Sequence, residues 1–190
     1  MPTSVIAYIV LLVLVGALRL GEMQLSRRNQ RRMAKAGVVK VPEPALPWMI
    51  LLHGGILLSA GLEVVLLHRP LIPGLAIGAG IVFVSANLIR WWVIRTMAGH
   101  WNVQVMASTT LGVITTGPYK WVRHPNYLAV VLELVSLPLI HTAWITAIWG
   151  TFAHFWILRS RITVEEGVLM SSPAYRQAMG SKPRFLPGLF

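Results

Sequence analysis

The chain has 190 residues, of which 55% are hydrophobic and 12% charged, with a mean hydropathy of +0.65. Soluble domains carry about a quarter of their residues as Asp, Glu, Lys or Arg, so this composition excludes a soluble globular domain and points to one compact membrane unit. The absence of cysteine removes disulfides, thiolate nucleophiles and Cys-ligated zinc, and a net charge of +11 in so apolar a chain marks loops at an anionic membrane face rather than nucleic-acid binding.

The first apolar run is Val5 to Leu25, with Arg19 and Glu22 near its end. Its positive charge follows the run instead of preceding it, which is the wrong order for a cleavable signal peptide. "RRNQRRMAKAGVVK" (27–40) then brings six basic residues and no acidic one, the signature of a cytoplasmic loop. Leu46–Leu67 and Leu71–Ile94 are the next runs, each above the roughly 20 residues that a spanning helix needs. Tyr127–Leu158 is too short for two full spans and a turn, and predicts a tight helical hairpin turning near Pro138 to Thr142. Threading these segments puts the His68-Arg69-Pro70 turn outside, residues 95–127 inside, and the tail from Arg159 inside. Of 17 Lys and Arg, only Arg69 then falls in an outer loop. The expected fold is all-α and integral to the membrane. It has about five transmembrane helices, the last two a short hairpin, with the N-terminal helices in residues 1–90 and a catalytic region in 91–190.

No G-x-G-x-x-G follows a strand-like run, so a Rossmann-type nucleotide domain does not fit. A cofactor site must instead come from helices, loops and the C-terminal segment. Polar chemistry gathers in "IRTMAGHWNVQVM" (94–106), "GPYKWVRHPNYL" (117–128) and "RSRITVEEGVLMSSPAYRQAM" (159–179), which the threading brings to one face. Each feature alone has a plainer reading. Basic residues and Trp or Tyr at helix ends serve as interfacial anchors. His124-Pro125 marks a helix start, and Arg161 with Glu165 has the spacing of an i,i+4 surface pair. Glu63 and Glu133 lie inside apolar runs, where a carboxylate is costly, and are expected to pair structurally with Arg90, a His or each other. His141 and His154 lack a metal-ligand pattern and read as core or interfacial histidines; no metal is expected.

Taken together, "GPYKWVRHPNYLAVVLE", the apolar hairpin, "RITVEEGVL", a Tyr and "RFLPGLF" resemble the isoprenylcysteine carboxyl methyltransferase family over about residues 90–190. "RLGEMQLSRRNQRRMAKAGV" with "LLHGGILLSAGLEV" looks like the bacterial branch of that family, some members of which are associated with O-methylation of polyketide lipids such as alkylpyrones. The resemblance implies an integral membrane methyltransferase using S-adenosylmethionine, in a bacterial inner membrane with its site facing the cytoplasm. It implies cofactor contacts at Met106, Leu111, Gly112, Val113, Ile114, Tyr119, His124, Pro125, Asn126, Tyr127 and Glu165. Arg95 and Arg161 would be the catalytic and substrate-side arginines, with Asn102 beside them. The acceptor implied is a lipophilic, lipid-like molecule, not the prenylated protein cysteine of the family name.

The residue types suit that chemistry. Glu165 can accept from an ammonium, a helix start can bind a carboxylate, and the tyrosines offer faces to an adenine or a sulfonium. A carboxylate acceptor is ionised at pH 7 and needs no base, so an arginine has only to orient it. A phenol would need one, for which His124 and Glu166 are available types. Competing readings are an NADPH-dependent sterol-reductase-like enzyme, a phospholipid N-methyltransferase, and a small transporter or assembly factor. The transporter reading predicts polar residues along a mid-membrane path.

Overall fold

The structure, a computed structural model, describes residues 1–107 and 112–186. Among these residues six helices carry the fold: α1 (Thr3–Lys35), α2 (Leu46–Leu66), α3 (Pro73–Met97), α4 (Pro125–Leu139), α5 (Trp144–Leu169) and α6 (Pro173–Met179). Single 3-10 turns cover Ala98–His100 and Gly117–Lys120. An all-α expectation omits one small feature. Strands β1 (Val39–Lys40) and β2 (Met106–Ala107) pair antiparallel, Val39 with Ala107 and Lys40 with Met106, and tie the α1–α2 connection to the loop after α3.

Among the described residues three helices, α1, α2 and α3 with its 3-10 extension to His100, are long and apolar enough to cross a membrane. Helix α4, at 15 residues, is a shorter apolar helix. The exterior carries large apolar side chains such as Val13, Leu51, Leu58, Ile77, Phe152 and Trp156, as a hydrocarbon-facing surface should. The core seals where Tyr8, Leu12 and Val15 of α1 meet Ala60 and Val64 of α2 and Leu137 of α4.

Helix α1 departs from expectation. It does not stop at Leu25 but continues through the basic run to Lys35, 33 residues in all, or about 50 Å. Arg, Gln, Met, Ala and Lys are good helix formers and nothing interrupts them before Gly37. There φ reaches +78°, and the Gly37 and Val38 amides donate to Ala34 and Met33, a Schellman ending. The basic residues therefore decorate a helix that extends past the hydrocarbon thickness of about 30 Å.

The hairpin turns where it was expected, at residues 140–143 between α4 and α5, but α5 runs on past Leu158 to Leu169. Its first turn is capped from another helix. Glu63 of α2 accepts from the Ile145 and Thr146 amides at 3.1 and 2.8 Å and from the Thr146 hydroxyl at 2.8 Å, while Arg69 donates to it at 3.0 Å. Glu133 sits 3.4 Å from Arg19, and Arg90 bonds Glu22. Among the described residues, then, neither carboxylate pairs with Arg90, with a His or with the other, the partners expected from sequence. The molecule has two poles. Ser4, Pro70 and the 140–143 turn meet at one, where His141 touches the Ser4 hydroxyl and Thr142 donates to the Pro70 carbonyl. The end of α1, the start of α4 and the C-terminal half of α5 share the other.

Candidate active site

At that second pole the motif loop is held from both sides. Gly117 has φ +57°, and a Cβ there would collide with the Thr96 hydroxyl, so the turn that opens "GPYKWVRHP" requires glycine. The Tyr119 hydroxyl donates to the Met97 sulfur. Burial pushes this phenol well up, with the Glu165 charge adding to it. His124 precedes helix α4 and Pro125 takes its first position, where no amide is needed. The amides of Arg123 and His124 are thus free to pair elsewhere, and they donate to the Pro183 and Arg184 carbonyls at 2.9 Å each. Lys182 adds a bond to the Tyr119 carbonyl at 2.7 Å. The C-terminal segment is strapped across the loop.

Glu166 fastens the strap. His124 Nε2 donates to it at 3.0 Å, Arg184 at 2.6 Å and Arg123 lies at 3.2 Å. Burial pushes this carboxyl up, but the bonds from His124 and Arg184 and the nearby cations outweigh it and hold the group at about 2. Glu165, one residue earlier, faces a different way. It accepts from the Tyr127 hydroxyl at 2.6 Å and stands 3.7 Å from His124 Nδ1. The His124 ring stacks on Tyr127, 5.3 Å between centroids.

One turn before Glu165, Arg161 is only 3% exposed. It does not pair with Glu165. It donates to the Val103 carbonyl at 2.6 Å, touches the Met49 sulfur, and lies 3.1 Å from Glu43, whose other oxygen accepts from the Val105 amide. Its guanidinium sits 5.8 Å above the Tyr127 ring.

These groups surround one cavity of about 570 Å³, within the range of small-molecule sites. Asn102, Met106, Gly112, Val113, Ile114, Tyr119, His124, Asn126, Tyr127, Arg161 and Glu165 all line it. Pro125 is buried behind it as the helix start. Arg95 does not join them. It is exposed, with its guanidinium 4.7 Å over the Trp91 ring. Leu111 lies outside the described residues. Two buried amide oxygens, Asn102 Oδ1 and Asn126 Oδ1, have no partner among the described residues.

Sequence reasoning missed several lining groups. Tyr175 of α6 lies in the polar stretch 159–179 without an expected role; burial, then Glu165, pushes its hydroxyl up to about 12. Glu43 does not line the cavity but stands behind Arg161, and it comes from a Pro-flanked linker without a motif. His53, Arg19, Glu22 and Arg90 lie in apolar runs, where only their rarity at that depth signalled them. The cavity therefore draws on residues from both sides of position 90.

The model of the isoprenylcysteine carboxyl methyltransferase family matches residues 78–171. An uncharacterized Bacillus subtilis (strain 168) protein, YpbQ, is 31% identical over 152 residues, covering 80% of this chain and 89% of its own. The chain belongs to the isoprenylcysteine carboxyl methyltransferase family. An uncharacterized Haemophilus influenzae protein is 24% identical over 154 residues, with the same coverage of each chain. Among solved structures, the eukaryotic intramembrane Ras methyltransferase of the family superposes with a TM-score of 0.52 and 21% identity, over 73% of this chain. This chain covers 52% of that one, and the likeness is one of fold. Family membership supports reading this protein as a membrane methyltransferase, with its polar pole as the place to seek the reaction.

Proposed function

We propose that this family member is an S-adenosylmethionine-dependent O-methyltransferase acting on a carboxylate or acidic hydroxyl of a lipophilic molecule. We place it in a bacterial inner membrane with the polar pole facing the cytoplasm and the α4–α5 hairpin completing about five spans. The observation that carries the reading is the single cavity that joins Glu165, Tyr119, Tyr175 and Asn126 to Arg161 and then to apolar helix faces. The residues fit the cofactor. Glu165 presents a carboxylate for an ammonium, the buried unpartnered Asn126 oxygen can take a donor, and the tyrosines and residues 112–114 offer faces to a ring.

Bound S-adenosylmethionine supplies an electrophilic methyl group on a cationic sulfur. The protein's part is to bind, orient and keep water out. Tyr127 holds the Glu165 carboxylate in place, and the strap over residues 119–124 closes the polar end. Arg161, fixed by Val103 and Glu43, orients an acceptor oxygen without competing as a nucleophile. A carboxylate acceptor gives up no proton, so no base is required of the site.

The test is calorimetric titration of the detergent-purified protein with S-adenosylmethionine, S-adenosylhomocysteine and NADPH. The first two should bind, and Glu165→Gln should weaken them by ~1.5–3 kcal/mol through loss of a charge-assisted bond. Binding of NADPH alone would make the protein a reductase.

A further inference from the structure

The cavity continues beyond Arg161. One turn along α2 from Met49, whose sulfur touches Arg161, stands His53, and opposite it on α5 is His154; both line the cavity. The rings meet edge to face, 5.3 Å between centroids at 82°. Their hydrogen-bonding state can be read directly. His53 Nδ1 lies 2.6 Å from the Met49 carbonyl. A carbonyl only accepts, so Nδ1 carries the hydrogen, and Nε2 of the neutral ring is a bare acceptor with no donor among the described residues. The His154 ring is 1% exposed, and both of its nitrogens are unpartnered among the described residues.

The charged groups nearby are already occupied with one another. Glu22 accepts from Arg19 and Arg90, Arg19 also reaches Asn87, and its Nε turns toward Glu133. Beyond the polar end, where Asn102, Asn126 and Arg161 keep their own unpartnered atoms, and the Arg19 Nε directed at Glu133, unspent capacity in this part of the cavity lies at the two imidazoles. A neutral His154 offers one donor and one acceptor, and His53 offers an acceptor. A hydroxyl matches this pair, because it can donate to His53 while accepting from His154. A ketone or an alkyl chain cannot do both. His53 is one turn from Met49, and His154 is two turns from Arg161, distances of roughly 5 and 10 Å along their helices.

We infer that His53 and His154 form a second polar subsite, selecting an acceptor lipid that carries a hydroxyl some 5–10 Å from the oxygen held at Arg161. The word acceptor rests on the methyltransferase reading; the subsite itself rests on the two imidazoles.

The probes are stearate and 7-hydroxystearate, titrated into the detergent-solubilised full chain. The wild type should prefer the hydroxy acid about tenfold. His53→Phe should abolish the preference, and His53→Gln, which keeps an acceptor, should restore much of it. Equal binding of the two acids by the wild type, or a preference that survives His53→Phe, overturns the subsite. S-adenosylmethionine titrated into the same samples separates the two ideas. Intact cofactor binding without a hydroxyl preference overturns the subsite alone, and a hydroxyl preference without cofactor binding upholds it while removing the methyltransferase reading.

Discussion

Replacing Glu166 with alanine should release the C-terminal strap while leaving the helices in place. In the intact protein Glu166 accepts a buried charge-assisted bond from His124 at 3.0 Å and bonds from Arg184, whose side chain is 47% exposed. The His124 bond is worth about 1.5–3 kcal/mol, and the Arg184 pair, screened by water, no more than about 1 kcal/mol. Their sum, about 2–4 kcal/mol, is the expected fall in the free energy that keeps the strap closed. The readout is hydrogen exchange at the Arg123 and His124 amides, whose acceptors are the Pro183 and Arg184 carbonyls. Exchange there should accelerate between about thirtyfold and a thousandfold, while amides in the middle of α2 and α3 keep their protection. If exchange at 123–124 is unchanged in Glu166→Ala, the strap is held by something other than this carboxylate and the reasoning fails.

The same latch should be sensitive to acid. The Glu166 carboxyl is held at about 2 against an ordinary value of 4.5. Its contribution is therefore complete above about pH 4.5 and is lost as the pH falls toward 2; protection of the residue 123–124 amides, taken relative to the intrinsic exchange rate at each pH, should fall through that interval in the wild type and not in Glu166→Ala. Arg161→Lys keeps the charge but gives up the fork held by Val103 and Glu43. Turnover should fall at least tenfold with cofactor affinity nearly unchanged, and a wild-type rate on a true acceptor would remove Arg161 from the substrate site. Glu63→Ala strips the first turn of α5 of its cap and leaves Arg69 unpaired, a loss of about 3–5 kcal/mol visible as a lowered melting temperature in detergent. A melting temperature equal to the wild type's would show that water replaces that cap.

What could be read from the sequence was what depends on local pattern. The bounds of α2 and α3 follow from apolar length, and the turn between α4 and α5 from Pro138 and the polar pair after it. The motif residues that converge on the cavity were recognisable as types at fixed spacing. The length of α1 is less legible, because a basic run reads as a loop, although Ala, Arg, Gln and Lys ending at Gly37 carry a helix-stop signal. Partnerships across the chain were not legible. Nothing near Glu63 announces that it caps a helix more than eighty residues later, and nothing near Arg161 names Glu43 as its counter-ion. Arg95 shows the reverse case. A basic residue at a helix end was assigned chemistry, yet its guanidinium rests on Trp91 outside the cavity.

The strap also fixes when the site can exist. Arg123 and His124 wait for carbonyls sixty residues further along the chain, so a nascent polypeptide still emerging from the ribosome can have α1, α2 and α3 in the bilayer and yet hold no closed pocket. Closure of the pocket is then an event separate from insertion. A ribosome stalled while residues 183 and 184 are still in its exit tunnel should yield a membrane-integrated chain that cannot retain a soluble ligand, and resuming synthesis should complete the pocket in one step.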